Sequence, residues 1–466
     1  MRQAWLVARK EATELIRDGR LRLAVMLAVV LTAIAVAGGV VERGRAAAER
    51  QEAQQAERDR WLTQGDVNPH AAAHYGTFVF RPVEPLAALD PGLLPFVGAA
   101  VFLEAHQQQL ARYRPVDEAT PLSRFRSLTV ALCLQVLLPL LIVLLTYASV
   151  AGERERGTWR LLLAAGTTPA GLVVGKALGV AVPLVVVLAV PALGVVLLLG
   201  LSADGMDAQL VTRAAWMGAA YVVYAVTWLA LGLTVSAASR SARRALAVLL
   251  AGWLGTCVLA PLVAMAMAER RDPVPSSTAF QAGIDQDRAA RPGWDARVEA
   301  ATERFLNGEE LPPASNPEVV ALIEAEEDDT AIFAAHFDRL AATFARQADA
   351  YRWAGVVSPM VAVQSVSMGM AATDSAHARD FQDAAARYRD EVLGVLNREL
   401  AAFDSWKTFN AAGSRDLWAR VPEFDYDTPP AAWALARQRP ALVMLAAWLA
   451  AALAALGLAV RRGGAS

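Results

Sequence analysis

Cysteine and charged side chains are both scarce in this chain. Only 2 of its 466 residues are cysteine and charged residues make up 19%, against about 25% in ordinary soluble proteins. Two cysteines exclude a disulfide framework, and the composition excludes disordered and collagen-like chains. Apolar residues supply 55% of the chain. The composition therefore predicts that a large part of the protein lies in a lipid membrane.

Sequence motifs for catalysis are missing as well. Gly166 and Gly171 have the glycine spacing of a phosphate-binding loop, but Leu172 stands where that loop requires lysine. No HExxH, CxxC or GxSxG motif is present either. We therefore expect that the chain is not an enzyme, binds no cofactor of its own and does not bind nucleic acid.

Uncharged stretches of about 19 to 24 residues predict transmembrane helices, because each can cross a hydrocarbon core of roughly 30 Å. The six stretches are Leu23–Val41, Leu128–Val150, Ala177–Gly200, Ala214–Ala237, Leu246–Met267 and Pro440–Val460. The first could instead be a signal peptide, but the region before it is long and contains acidic residues. Residues 354–373 also lack charge but are too polar for confident insertion. They predict an interfacial or re-entrant segment packed against the spans, with a seventh span as the alternative.

The charges next to the spans predict the orientation of the protein. Arg and Lys predominate before span one, between spans two and three, between spans four and five, and after span six. Because basic residues next to spans favour the cytoplasmic side, we expect both termini in the cytoplasm. Residues 42–127 and 268–439 then lie outside, where apolar periodicity in Asp287–Phe305, Pro317–Trp353 and Phe381–Trp406 predicts amphipathic helices.

The predicted fold class is an all-α integral membrane protein with six transmembrane helices, an amino-terminal elbow helix and a large, mostly helical extracytoplasmic domain. The predicted segments are the elbow helix at 1–22, spans at 23–41 and 128–150, a cytoplasmic coupling loop at 151–176, three spans within 177–267, a last span at 440–460, and extracytoplasmic insertions at 42–127 and 268–439.

Several polar residues are candidates for function. Gln135, Tyr221, Tyr224 and Thr227 lie inside spans, where such side chains either hold helices together or line a pathway. Gly171, Gly175 and Gly179 form a row of small residues that permits close helix approach. His70 and His74 have the i,i+4 spacing of helical metal ligands. Since no carboxylate or cysteine cluster accompanies these two histidines, the sequence assigns no metal site.

The loop between spans two and three is the most informative segment. It reads Glu153-Arg-Glu155-Arg-Gly157-Thr158-Trp-Arg160-Leu-Leu-Leu and continues to Gly175-Lys176. Paired charges lead into a short amphipathic helix at Trp159–Ala165, and Lys176 can snorkel to the membrane interface. A short helix held against the membrane is suited to receive a push from a soluble partner.

This loop resembles the E-x-E-x-G-T signature of type-2 ATP-binding-cassette (ABC) transporter permeases, and residues 5–22 resemble the elbow helix of that family. The resemblance implies that Glu153, Glu155, Gly157, Thr158 and Arg160 contact an ATP-binding subunit. The outer region resembles a branch with two long extracytoplasmic insertions of unknown function. The markers of that branch are Tyr75-Gly76-Thr77, Leu89-Asp90-Pro91-Gly92, Phe102-Leu103-Glu104-Ala105-His106, Ser358-Pro359, Gln364, Thr373-Asp374, Phe381 and Tyr388-Arg389.

The resemblance implies the permease subunit of an ABC exporter in the bacterial cytoplasmic (inner) membrane. Two copies of a separate ATP-binding subunit would use ATP and Mg, and a second permease would complete a homodimer or a paralogous heterodimer. Whether a periplasmic protein is a further partner stays open. The alternative is a mechanotransmission or periplasmic-maturation component, whose outer domain is moved by ATP hydrolysis while nothing crosses the membrane.

Overall fold

The structure is a computed structural model that describes residues 2–109, 128–200, 207–309, 316–403 and 412–463. Helices dominate this part of the chain, which confirms the predicted all-α membrane fold. The helices are α1 (Arg2–Arg17), α2 (Gly19–Leu62), α3 (Pro69–Tyr75), α4 (Val130–Glu155), α5 (Thr158–Ala164), α6 (Pro169–Gly200), α7 (Ala208–Ala238), α8 (Ala242–Arg271), α9 (Ser277–Ala289), α10 (Trp294–Leu306), α11 (Pro317–Trp353), α12 (Pro359–Ala371), α13 (Ser375–Ala401), α14 (Arg415–Arg420) and α15 (Ala431–Gly463).

Six of the described helices, α2, α4, α6, α7, α8 and α15, are long and apolar enough to cross a membrane. Helices α4 and α7 are central, since 67% and 50% of their most apolar windows are buried inside the protein. The other four have only 11–28% of that window buried. Their outward faces are apolar, as with Leu193 and Val196 of α6, which are exposed. Such faces fit contact with lipid tails or with another membrane subunit.

Helix α2 continues well beyond the predicted end of the first span at Val41. It begins after Asp18, whose carboxylate accepts hydrogen bonds from the backbone N–H groups of Arg20 and Leu21. It then runs for 44 residues, which is about 66 Å at about 1.5 Å per residue. The residues after Val41 are mostly Ala, Glu, Gln and Arg, which are good helix formers. One rigid element therefore joins the membrane region to the insertions.

The described parts of residues 42–109 and 268–430 pack together and are called the inserted domain below. Its helices surround one antiparallel pair of strands, β1 (Thr77–Phe80) and β2 (Ala100–Leu103), which the sequence analysis does not predict. At the far end of α2, the indole N–H of Trp61 donates to the carbonyl of Trp418 over 3.1 Å. The two indole rings meet edge to face with centroids 5.9 Å apart. The end of α2 is thus anchored in the core of the inserted domain.

The helix predicted at Asp287–Phe305 is wrong in one respect, because the structure divides it into the end of α9 and most of α10. Pro292 and Gly293 lie at the break; proline disfavours helical conformation at the preceding residue, and glycine lowers helix stability. The helix predicted at Pro317–Trp353 coincides with α11. The helix predicted at Phe381–Trp406 is α13, which starts earlier, at Ser375, and ends earlier, at Ala401; residues 404–406 of the prediction lie outside the described residues.

The segment at 354–373 forms a wedge helix, α12, among the spans. It has 13 residues, about 20 Å of helix, which is too short to cross a bilayer. Most of its side chains are buried, and it packs on α7 and α15. Ser358 at its start donates to the carbonyl of Thr256 over 2.6 Å, where α8 contains a π-helical turn. Trp448 of α15 donates to the Gly355 carbonyl over 2.9 Å.

Candidate coupling site

The elbow helix α1 lies directly against the start of α6. The row of small residues predicted in α6 makes this possible: a Cβ atom at Gly175 would lie 2.7 Å from the carbonyl oxygen of Ala4, and one at Gly179 would lie 2.9 Å from that of Ala8. Such distances are too short for any side chain. The glycines therefore let the two helix backbones approach, and the partner of this row is the elbow helix.

Between these helices lies a buried cluster of charges. Lys176 Nζ is 2.7 Å from Glu11 Oε2 and 3.3 Å from Glu153 Oε1. The three residues are only 3%, 6% and 1% exposed. Lys10 Nζ approaches the same oxygen of Glu153 at 3.4 Å, and Ser149 donates to Glu11 Oε1 over 3.0 Å. The cluster joins α1, α4 and α6. Lys176 thus does not reach for the membrane interface as predicted, because two carboxylates hold it inside the protein.

The loop after Glu153 is folded tightly against the end of α7. Gly157 has a φ angle of +72°, a conformation that glycine adopts without strain. The turn at this glycine brings the Thr158 hydroxyl onto the carboxylate of Glu153, to which it donates. Trp159 is buried in an apolar cluster that includes Leu233 of α7. The short helix α5, Thr158–Ala164, begins one residue before the predicted Trp159–Ala165.

The five residues assigned to coupling therefore divide into two groups. Glu153 is buried in the charge cluster, and Thr158 contacts it from a half-buried position. Glu155, Gly157 and Arg160 are exposed. Next to them, Leu161 exposes 69% of its surface. The second group forms the face that a soluble partner could touch, whereas the first group holds the loop to the rest of the protein.

Lys10, Glu11 and Ser149 are functional residues outside the predicted coupling set. The spacing of residues on α1 could have indicated the role of Glu11. Glu11 lies seven residues from Ala4 and three from Ala8, on the face of α1 that meets the glycines of α6. A charged residue on a packed helix face needs a partner of opposite charge. Lys176, which follows Gly175 on the facing helix, supplies that charge.

Three of the four polar span residues meet in one hydrogen-bond network between α4, α7 and the wedge helix. Gln135 Nε2 donates to the Tyr221 hydroxyl over 2.9 Å, and that hydroxyl lies 2.9 Å from Ser367 Oγ. The Tyr224 hydroxyl donates to the Gln135 carbonyl over 2.7 Å. Gln135 belongs to a π-helical turn, which leaves backbone carbonyls free to accept such bonds. Thr227 is buried one turn further along α7.

The histidines are arranged in the inserted domain as follows. His70 and His74 lie one turn apart on α3, with their Nε2 atoms 3.1 Å apart. His106, which follows β2, joins them, and one ring nitrogen from each of the three lies within 4.8 Å of the others. The sequence analysis did not connect His106 with the first two. The hairpin between them determines this proximity.

The six long apolar helices define a multi-pass membrane protein, and buried charges attach an elbow helix and a short loop to it. The sequence pattern of the ABC-2 family transporter protein matches residues 5–292. The chain therefore belongs to this family and is a membrane permease component of an ABC transporter, a class that acts with an ABC ATP-binding subunit. This confirms the predicted resemblance to type-2 ABC permeases, while the resemblance of the outer region to a branch with two long insertions stays a prediction. A pattern described as a domain of unknown function (DUF3526) matches residues 279–427. No curated protein matches the chain.

Proposed function

We propose that the chain is the permease subunit of an ABC exporter and couples ATP hydrolysis in a separate subunit to movement of a substrate. Two ATP-binding subunits, using ATP and Mg, dock on the side of the membrane that carries α1 and α5. That side is the cytoplasm of a bacterial cell, and both termini lie there. A second permease subunit, identical or paralogous, completes the transporter.

The observation that carries this proposal is the position of Lys176. Its ammonium group binds Glu11 of the elbow helix and Glu153 at the base of the coupling loop. In a site shielded from water, such charge-assisted contacts are stiff and costly to break. A displacement of α5 is therefore passed to α1, α4 and α6 together rather than absorbed by a loose loop.

The docking surface in this proposal is the exposed face of the coupling segment. Glu155 and Arg160 present opposite charges, and Leu161 supplies an apolar side chain that is 69% exposed. A small apolar contact with a charged rim is a common composition for a protein interface. Glu153 has no place on that surface, since its carboxylate is turned into the protein.

The test is a charge reversal on the exposed face, Glu155→Lys, in the full complex with its ATP-binding subunit. We expect normal folding of the permease, because the side chain is exposed, together with weaker association and lower ATPase activity of the complex. Glu303→Lys is the matched control, since it makes the same change at an exposed position in α10. Equal ATPase activity and equal assembly for Glu155→Lys and wild type would remove the docking proposal.

A second candidate function is mechanotransmission without transport, and one observation favours it. Helix α2 connects the membrane region to the inserted domain without a break, and Trp61 anchors its end. At the exit of α8, Arg346 Nε of α11 lies 2.6 Å from Asp272 Oδ1 and adds a second attachment. Any tilt of these spans is thus carried into the inserted domain, which could act on an external protein.

Spin labels can separate the two functions. One label is placed on the inserted domain at Glu303→Cys and one at Arg240→Cys, an exposed position in the connection after α7 and outside the docking surface. The distance between the labels is followed during ATP hydrolysis; Cys133 and Cys257 are buried and do not interfere. Mechanotransmission predicts a large change in this distance that survives when the membrane region is locked against substrate passage. Export predicts that locking the membrane region abolishes ATP-driven changes.

A further inference from the structure

Three histidines converge at the junction of the two insertions. His70 and His74 come from the short helix α3, and His106 lies in a tight reversal closed by a bridge between Glu104 and Gln107. The ring centroids are 4.6 Å apart for His70 and His74, 5.5 Å for His70 and His106, and 5.3 Å for His74 and His106. The three rings thus surround one point rather than forming a stack.

The spacing of the ring nitrogens matches that of ligands on one metal ion. The Nε2 atoms of His70 and His74 are 3.1 Å apart. Two nitrogens bound tetrahedrally at about 2.0–2.1 Å from a metal are separated by about 3.3 Å. One ring nitrogen of His106 lies within 4.8 Å of both, which a small rotation of an imidazole could close.

His106 is held in place from the second insertion. Its Nδ1 atom lies 2.9 Å from Glu326 Oε2 and 3.2 Å from Asp329 Oδ2. This leaves its Nε2 atom for the other two histidines. Its backbone has a φ angle of +58°, which is uncommon outside glycine, and its N–H donates to Glu326 Oε2 over 3.0 Å. A carboxylate that fixes the second nitrogen of a histidine is the usual support of a metal-binding imidazole.

The two carboxylates are themselves fixed by arginines. Arg389 of α13 donates to Glu326, and both side chains are buried. Arg288 of α9 donates to Asp329 Oδ1 over 2.8 Å. Three histidines from the first insertion and four supporting residues from the second therefore form one connected structure.

We propose that His70, His74 and His106 bind one divalent first-row transition-metal ion, such as Zn²⁺, and leave one coordination position open. Imidazole nitrogen suits Zn²⁺, Cu²⁺ and Ni²⁺, whereas Mg²⁺ and Ca²⁺ take oxygen ligands. The open position is on the side of His74, the exposed member of the three. Three histidines with a free fourth position are typical of sites where the metal meets a further ligand. This site is independent of the proposed coupling to ATP hydrolysis.

The test uses the full chain in detergent, with any affinity tag removed and metals stripped by a chelator. Zn²⁺ binding is measured by equilibrium dialysis and elemental analysis for the wild type, His74→Ala and His70→Ala/His74→Ala. We expect one Zn²⁺ per chain in the wild type and binding weakened by at least about 100-fold in the variants, more than the loss of a supporting residue causes. His74→Ala keeps the test valid if the double variant misfolds, since His74 is exposed.

The matched control is His336→Ala. His336 lies in the same domain and pairs with Asp287 over 2.7 Å, outside the cluster. The His336→Ala variant should bind Zn²⁺ with the wild-type affinity. Loading with Cu²⁺ gives a second readout, because the electron paramagnetic resonance spectrum reports how many nitrogens bind: three in the wild type and two in His74→Ala. Wild-type protein that binds no Zn²⁺, or that binds it as tightly as the double variant, would overturn the proposal.

Discussion

Lys176 Nζ on α6 lies 2.7 Å from Glu11 Oε2 on the elbow helix, and both side chains are buried. The pair lies where the elbow helix crosses Gly175 and Gly179, positions at which the two backbones leave no room for a side chain. Close packing and charge pairing therefore act at the same place. The elbow helix is thus attached to α6 by backbone packing and by a buried ion pair together.

Removal of the cation from this cluster should destabilise the protein strongly. Lys176→Met leaves the carboxylates of Glu11 and Glu153 close together without their shared partner. A broken buried ion pair costs about 3–5 kcal/mol, so we expect a clear drop in the thermal unfolding temperature in detergent. The exposed Arg160→Met is the control and should unfold like the wild type. The double variant Glu11→Gln/Lys176→Met should recover part of the loss; if it is as unstable as Lys176→Met, the ion pair is not the cause.

The sequence predicts the spans well because each is a long uncharged stretch, a pattern that few other structures produce. It does not predict where α2 ends, because the residues after Val41 are helix formers and nothing stops the helix before Leu62. The direction of Lys176 could not be predicted either. A lysine at the end of a span ordinarily reaches for water, and only the position of Glu11 on another helix reverses this.

The candidate sites, too, could be predicted only where their residues are adjacent in sequence. The coupling loop is recognisable because its residues are adjacent in sequence, including the glycine whose positive φ angle the turn requires. The histidine cluster depends on the pairing of β1 with β2, which places His106 beside α3. No periodicity in the sequence predicts that pairing. Residues that meet through tertiary contacts are therefore the ones that sequence analysis missed.

The network around Tyr221 predicts a structural effect of removing its hydroxyl. Tyr221→Phe removes the buried hydroxyl to which Gln135 Nε2 donates, while Ser367 Oγ still donates to the carboxylate of Asp90. The loss of one buried hydrogen bond costs about 0.5–1.5 kcal/mol. We expect a lower unfolding temperature in detergent, while Tyr147→Phe, at the other end of α4, should have little effect. If Tyr221 instead serves mainly to line a pathway, the variant would unfold like the wild type and alter only substrate-dependent ATPase activity of the complex.

Arg213 at the start of α7 should be essential for holding the wedge helix. Its guanidinium donates to the carbonyls of Gly369 and Met370 over 3.3 and 3.1 Å, at the end of α12 where helix carbonyls lack partners. Arg213→Met leaves the Met370 carbonyl without this donor and the Gly369 carbonyl with only a long 3.4 Å contact from the Ala372 N–H, at a cost of about 1–3 kcal/mol. Arg213→Lys should recover only part of the lost stability, since one ammonium group cannot reproduce the forked geometry of a guanidinium.

Limited proteolysis measures this effect directly, because a loosened α12 exposes its flanking chain. We expect faster cleavage near residues 354–373 in Arg213→Met than in the wild type. Arg240→Met, at an exposed position in the connection after α7, is the control. Identical cleavage patterns for the two variants would show that Arg213 does not hold the wedge helix.

Glu326 should act on metal binding through His106 rather than as a ligand. Glu326→Gln weakens the bonds that fix the ring and the strained backbone of His106, and loss of such support typically weakens metal binding about 10–100-fold. Zn²⁺ affinity measured by dialysis should fall by that factor, while the Cu²⁺ spectrum still reports three nitrogens. Asp390→Asn is the matched control, since Asp390 also contacts Arg389 but lies apart from the histidines. A spectrum with fewer nitrogens in Glu326→Gln, or equal losses in both variants, would contradict this role.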